Sequence, residues 1–354
     1  MRGGLAYTSL SFSRGGQMNR MFRNATGILL LGLMLSTSVV TLAQQPSGSA
    51  SSCKTDRRLV ITMDDLPGAM PASDSDAGAL SDVQRYNSSI TSVFRKHHVP
   101  AIGFVNEAKV QVAGERDARV ALLKLWIDAG LDLGNHTYSH PNFSTTPVQQ
   151  YEDETIRGEV ITSSLLVAAG KKERYFRHPY LSTGATAEAK SEFEAFLKAR
   201  GYQIAPVTVE NADYAFNDVL TAALAANDKS RGEKAKTEYR AFTKTAFEFF
   251  EDASKKLFGR EIPQTLLIHD NEINSEMLDT LLTDMEQRGY RFVSLDEAMS
   301  DPAYATPDRF VGPVGISWID RWKVALGQKP DYEHDPDPPD WIMQEFNELR
   351  SHAK

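Results

Sequence analysis

The 354-residue chain has one cysteine, Cys53, so no intrachain disulfide can form. Basic charge is also scarce: 39 Lys and Arg against 47 Asp and Glu give a formal charge of −8. That balance argues against nucleic-acid binding, which usually shows a basic face. No internal repeat is visible. Long apolar runs are missing too, because the stretch from Ala25 to Leu35 loosens into Ser36-Thr37-Ser38 and falls short of a membrane span.

That short run fits a secretory signal peptide instead. Arg14, Arg20 and Arg23 precede it, and Thr41-Leu42-Ala43 supplies a small-residue cleavage site. Translation from Met18 or Met21 would keep the whole signal. The expectation is a signal peptide over 1–43, an exported protein (periplasmic or secreted), and no stable membrane span after cleavage. A retained anchor is the alternative. Cleavage after Ala43 removes Arg2, Arg14, Arg20 and Arg23 and no acid, which takes the formal charge to −12. Residues 44–57 are rich in Gln, Ser, Pro, Gly and Ala and read as a flexible linker. Cys53 lies well past the apolar run, and Ala50-Ser51-Ser52 is a poor lipoprotein lead-in.

Beyond the linker, strand and helix patterns alternate. Arg58 to Met63 is a buried-strand pattern, and Ser81 to His98 has helical spacing through Val83, Tyr86, Ile90, Val93 and Phe94. Ala101–Val105 is the next strand, Arg116–Ala129 the next helix with Gly130 behind it, and Leu131–Asn135 leads into a His pair. A helix is then expected from Ser144 or Thr146 to about Ala169. A strand end at Tyr175–Arg177, a helix over Ala187–Arg200 and a strand over Tyr202–Val209 follow. Thr265–Ile268 closes the series as a strand, with Ser275–Arg288 as a helix. Repeated strand–helix units imply a parallel sheet with helices outside. Two segments depart from the rhythm: a helical insertion over 215–262 and a Trp-containing extension over 301–354.

Five short motifs fall at or just past the carboxyl ends of these strands, where α/β folds place their sites. The first is Thr62-Met63-Asp64-Asp65-Leu66-Pro67 and the second His136-Thr137-Tyr138-Ser139-His140. Arg177-His178-Pro179-Tyr180, Glu210-Asn211-Ala212-Asp213-Tyr214 and Leu266-Leu267-Ile268-His269 complete the set. His136 and His140 plus one of the two aspartates make a three-ligand metal site with room for water. Successive residues of an extended chain point to opposite sides, so Asp64 and Asp65 can divide into ligand and base. Arg177 can grip a carboxylate bidentately and keep it ionised. Pro179 stiffens a turn from which the Tyr180 N–H can reach a developing oxyanion. His269 can return a proton near neutral pH. Asp213 and Asp270 are both conceivable partners for it, and Asp213 can alternatively brace Arg177.

The set resembles the polysaccharide deacetylase, or NodB-homology, family over residues 58–298. Its acid-pair motif, its His-Ser/Thr-x-x-His, its Arg-x-Pro-Tyr and its final apolar-residue-plus-His motif are all matched. The resemblance implies an α/β fold, a distorted (β/α)-barrel of about seven strands spanning 58–300. It implies Zn²⁺ or another divalent transition metal on Asp65, His136 and His140, with Asp64 as general base and His269 as general acid. Arg177 would orient Asp64, Asp213 would tune its partners, and the Tyr180 amide would receive the oxyanion. The implied activity is hydrolytic removal of N- or O-linked acetyl groups from a carbohydrate. Four departures (Leu66, Leu181, Glu210 and Tyr214) are expected on the substrate side. They keep two rivals open: an amidohydrolase of a small non-sugar amide, and an inactive carbohydrate-binding relative. The sequence does not fix an oligomeric state.

Overall fold

Strand β1 (Arg57–Leu66) is the spine of the molecule. Its apolar run is buried on both faces, as parallel strands under helices require. Leu59, Ile61 and Met63 point out beneath the helices, with Phe94, Trp126, Ile268 and Trp322 in the same cluster. Val60 faces the barrel interior with Ile102, Phe104 and Tyr175. By the two-residue period of a strand, Thr62 and Asp64 continue that inner face. The computed structural model describes residues 56–70 and 77–352. The expected signal peptide, Cys53 and nearly all of the expected linker lie outside them.

Seven further strands follow: β2 (Ile102–Val105), β3 (Asp132–Asn135), β4 (Tyr175–Phe176), β5 (Gln203–Ile204), β6 (Val209–Glu210), β7 (Gln264–His269) and β8 (Tyr290–Phe292). They form one parallel sheet in the order β5-β4-β3-β2-β1-β7-β6, with β8 beside the start of β1. This is the distorted (β/α)-barrel expected. The strands at the two ends of that order, β5 and β6, are joined by only residues 205–208. The sequence pattern suggests a single strand over Tyr202–Val209, and the structure corrects this. Pro206 interrupts the run, and the chain leaves one end of that order to begin the other.

The main helices are α1 (Leu80–Lys96), α2 (Arg116–Asp128), α3 (Val148–Arg157), α4 (Val160–Ala168), α5 (Ala187–Arg200), α6 (Asp213–Ala225), α7 (Lys229–Phe258), α8 (Glu272–Gln287), α9 (Leu295–Met299), α10 (Trp318–Ala325) and α11 (Asp340–His352). The single helix expected up to Ala169 is in fact two, broken at Gly158 and Glu159. A Cβ on Gly158 would stand 2.7–2.9 Å from the backbone of Thr137 and Tyr138, so the helix must yield where it meets the His loop. The helical insertion is the pair α6 and α7, between β6 and β7.

The C-terminal extension returns to the open side of the sheet. Trp318 N–H donates to the Val207 carbonyl at 2.7 Å, and Ser317 Oγ–H donates to the Thr208 carbonyl at 3.0 Å. Those acceptors belong to the link between β5 and β6. Trp318, Ile319 and Trp322 are buried in the main core. Ile342 and Phe346 of α11 pack with Phe216 and Ile273 in a second cluster. Among the described residues, no helix is long and apolar enough to cross a membrane.

Candidate metal centre and active site

The two aspartates separate because β1 bulges. Its pairing with β2 runs Thr62↔Ile102 and Met63↔Gly103, then skips to Leu66↔Val105. The extra residue is accommodated by Asp65, whose φ of 72° is left-handed. Simple strand alternation is therefore not the cause. A bulge re-aims a side chain beside a site, and here it turns Asp65 toward the His loop while Asp64 stays on the inner face.

The His loop is built to present two imidazoles. His136 Nδ1–H donates to the Arg177 carbonyl at 2.8 Å, which leaves Nε2 as the lone-pair atom. Asn106 Nδ2–H holds the His136 carbonyl at 2.6 Å, and Glu154 accepts from both the N–H and the hydroxyl of Ser139 at 2.7 Å. Asp65 Oδ1 lies 3.8 Å from His136 Nε2 and 3.6 Å from His140 Nε2. The three ligand atoms are all within 4.8 Å of one another. Asp65 Oδ1 is buried with no hydrogen-bond partner. One carboxylate and two imidazoles form a donor set that suits Zn²⁺ and its first-row neighbours, so these residues fit a divalent metal.

Beside this centre, Asp64 is buried and Arg177 is completely so. Arg177 does not grip Asp64 bidentately, which corrects the sequence expectation. Its Nη1 reaches Asp64 Oδ2 at 3.4 Å while Nη2 donates to Thr62 Oγ1 at 2.9 Å, and its plane stacks over Phe104. The fork is shared between two residues of one strand face. Burial pushes the Asp64 carboxyl up to about 6, against the pull of Arg177. Burial also acts to raise Asp65, but Lys109 and the histidines outweigh it and the group sits below its ordinary value.

His269 ends β7, paired with Asp64 across the sheet. Its Nδ1–H donates to Asp213 Oδ1 at 2.8 Å, and its backbone N–H donates to Asp213 Oδ2 at 2.8 Å. Asp213 therefore partners His269 and not Arg177. Asp270 points away, accepting from Asn87 Nδ2 at 2.8 Å. Burial would lower His269, yet the Asp213 charge and hydrogen bond override it and hold the imidazolium up to about 9.

The four departures divide between core and site. Leu66 is fully buried and packs toward Gly103, and Leu181 is buried in the main core. Neither lines the substrate side, which corrects the expectation for both. Glu210 does stand in the field of Arg177, His269 and Asp64; burial pushes it up to about 7. Tyr214 is 43% exposed with its ring 6.4 Å from His269, and Tyr180 is 46% exposed with its ring 4.5 Å from His140. Tyr138 is covered by Arg157 at 3.8 Å.

Asp65, Thr137, His140, Tyr180, Leu181 and Ala212 all have φ between 49° and 72°. Each such non-glycine residue costs roughly 1–2 kcal/mol, so the surroundings must hold these turns in place. Sequence reading missed three of the holding residues. Lys109 Nζ lies 3.4 Å from Asp65 Oδ1, Glu154 ties down Ser139, and Arg321 donates to the Leu181 carbonyl at 2.5 Å.

Parts of the chain are similar to known proteins. Residues 51–195 match the family model for polysaccharide deacetylase. The chain is 24% identical over 224 residues to the peptidoglycan-N-acetylmuramic acid deacetylase PdaA of Bacillus subtilis (strain 168), covering 63% of this chain and 69% of that one. The solved structure of Bacillus subtilis PdaA, a family 4 carbohydrate esterase, aligns at 20% identity and TM-score 0.44, covering 69% of this chain and 81% of that one. A family 4 pseudoenzyme from Bacillus anthracis aligns at 18% identity and TM-score 0.44, covering 70% of this chain and 66% of that one. Over residues 51–195 the chain is similar to the polysaccharide deacetylases. These are hydrolases of acetyl amide and ester bonds in carbohydrates.

Proposed function

We propose that the protein is an exported, metal-dependent deacetylase of an acetylated carbohydrate. One observation carries this reading: the Asp64–Arg177 pair and the His269–Asp213 pair both stand beside the Asp65, His136 and His140 cluster. A divalent ion held by those three residues would supply the positive charge that acidifies a water and polarises the acetyl carbonyl. Asp64, raised to about 6, is matched to take the water's proton near neutral pH. The new bond forms between the water oxygen and the acetyl carbon, and the bond to the sugar nitrogen or oxygen breaks. His269 gives its Nε2 proton to that leaving atom, held charged by Asp213. The Tyr180 backbone N–H is the donor assigned to the acetyl oxygen.

Tyr180 and Tyr214 support a sugar over a small amide. Both rings are half-exposed, one against His140 and one against His269, as stacking platforms for a polymer would be. Since the curated relative is named for peptidoglycan N-acetylmuramic acid, acetylated cell-wall glycan is the first substrate to try. Acetate release should be followed for zinc-loaded protein on N- and O-acetylated sugars. Loss of release in Asp64→Asn and after chelation is expected. Zinc binding without release from any sugar, but with hydrolysis of small acyl amides, would move the assignment to an amidohydrolase. Absence of both metal binding and release would point to the inactive relative.

A further inference from the structure

The Tyr180 turn is held by the C-terminal extension. Pro179–Leu181 form one helical turn in which Tyr180 (φ 56°, ψ 16°) and Leu181 (φ 51°) are both left-handed. Two consecutive L-residues in that region need external support. Arg321 supplies it from a fully buried position. Its Nη2–H donates to the Leu181 carbonyl at 2.5 Å, and Nη1–H donates to Thr183 Oγ1 at 2.8 Å, the two acceptors bracketing the end of the turn. The guanidinium is itself fixed by Asp308 at 3.0 Å, by the Ile316 carbonyl at 3.0 Å and by the Trp318 face at 4.6 Å. Gly315 lies so close to the turn that a Cβ would overlap the Tyr180 carbonyl oxygen. Asp308, Gly315, Ile316, Trp318 and Arg321 all lie beyond the segment that matches the family model.

We infer that Arg321 is a positioning residue for the reaction, fixing the Tyr180 amide beside the metal centre through the Leu181 carbonyl and Thr183. The inference rests on the proposed role of that amide. The hydrogen bonds that hold the His loop come from elsewhere: His136 is fixed by the Arg177 carbonyl and Asn106, and Ser139 by Glu154. Loss of Arg321 therefore acts first on the turn and the chemical step, and reaches the metal site only through the Tyr180 ring packed on His140. Misplacing a reacting group by about 1 Å costs on the order of 100-fold in rate.

The test uses the full chain loaded with zinc, as Arg321→Ala, Arg321→Lys and Gly315→Ala, with the exposed Lys244→Ala as control. Expected results are a kcat about 100-fold lower in Arg321→Ala, with zinc still bound. Millimolar guanidinium should recover part of the lost rate. Hydrogen exchange should speed up at the amides of 180–183 and remain unchanged in β1 and α1. Gly315→Ala should show the same local exchange, which keeps the test alive if Arg321→Ala does not fold. Unchanged exchange at 180–183 in both variants overturns the inference. So does a uniform rise in exchange with loss of zinc, which marks Arg321 as a fold residue only. If the parent binds zinc but releases no acetate, the deacetylase reading fails, and exchange at 180–183 still decides whether Arg321 holds the turn.

Discussion

His269 keeps its proton because Asp213 is gripped from several directions. Besides the imidazole, the carboxylate accepts from the His269 N–H, Asn271 Nδ2 at 3.1 Å and Asn274 Nδ2 at 2.6 Å. A fixed anion beside a buried imidazole raises its pKa, here from 6.5 to about 9. The sign for stability follows directly: this pair stabilises the fold fully below pH 6.5, and the contribution fades as pH rises through 9. Activity needing the charged form should fall over the same basic range. In Asp213→Asn the basic limb of kcat/KM is expected to move down from near 9 toward 6.5, and the melting temperature should lose its fall over the same window. A basic limb that stays in place would remove His269 from the acid role. Lys109 is the other residue whose charge matters, since its ammonium lies 3.4 Å from Asp65 Oδ1, a proposed ligand oxygen. Two cations sharing one carboxylate repel, so Lys109→Met should bind zinc about tenfold more tightly, some 1.4 kcal/mol. Competition with a chromogenic chelator measures it; weaker binding would mean that Lys109 chiefly orients Asp65. These two residues also mark what sequence reading reaches. His269 and Asp213, which the structure pairs, are singled out in the sequence because short motifs carry them. Lys109, Glu154 and Arg321 act on partners 44, 15 and 140 positions away, and nothing beside them in the chain signals that contact.

At the scale of elements, the apolar periodicity of β1, α1, α2, α5 and α8 was enough to place them. The features that shape the site are interruptions of that periodicity, and they answer to distant neighbours. The bulge at Asp65 is visible only against β2, and the break between α3 and α4 only against the His loop. Gly158 is the hinge of that second contact. Gly158→Ala should cost roughly 1–3 kcal/mol, as overpacking does, and should weaken zinc binding because the displaced backbone joins His136 to His140. Chemical denaturation and zinc titration read the two effects separately. Unchanged zinc affinity would show that the loop absorbs the push without moving its ligands. Splitting the expected 202–209 strand has a similar origin. Pro206 is visible in the sequence, but the separation of β5 from β6 depends on how far the sheet has curled before the chain reaches them.

For the whole molecule, the open side between β5 and β6 decides what the last fifty residues do. The link across it takes hydrogen bonds from Ser317 and Trp318, while Trp318, Ile319 and Trp322 fill the core behind. Fully burying each large apolar side chain is worth roughly 1.5–3 kcal/mol. Truncation after Asp301 should therefore lower stability by several kcal/mol, or leave an insoluble chain. A soluble truncated protein with the parent's denaturation midpoint would show the extension to be an appendage. The Trp-containing stretch was legible as an addition to the barrel. Its purpose was not, because that purpose is defined by backbone carbonyls more than a hundred residues earlier. The same arrangement sets a clock on maturation: the turn beside the proposed metal centre waits for a guanidinium 140 residues further along the chain. During synthesis, every motif residue from Asp64 to His269 is made before Arg321, so a nascent or prematurely ended chain carries the motifs without the guanidinium that fixes the 179–181 turn.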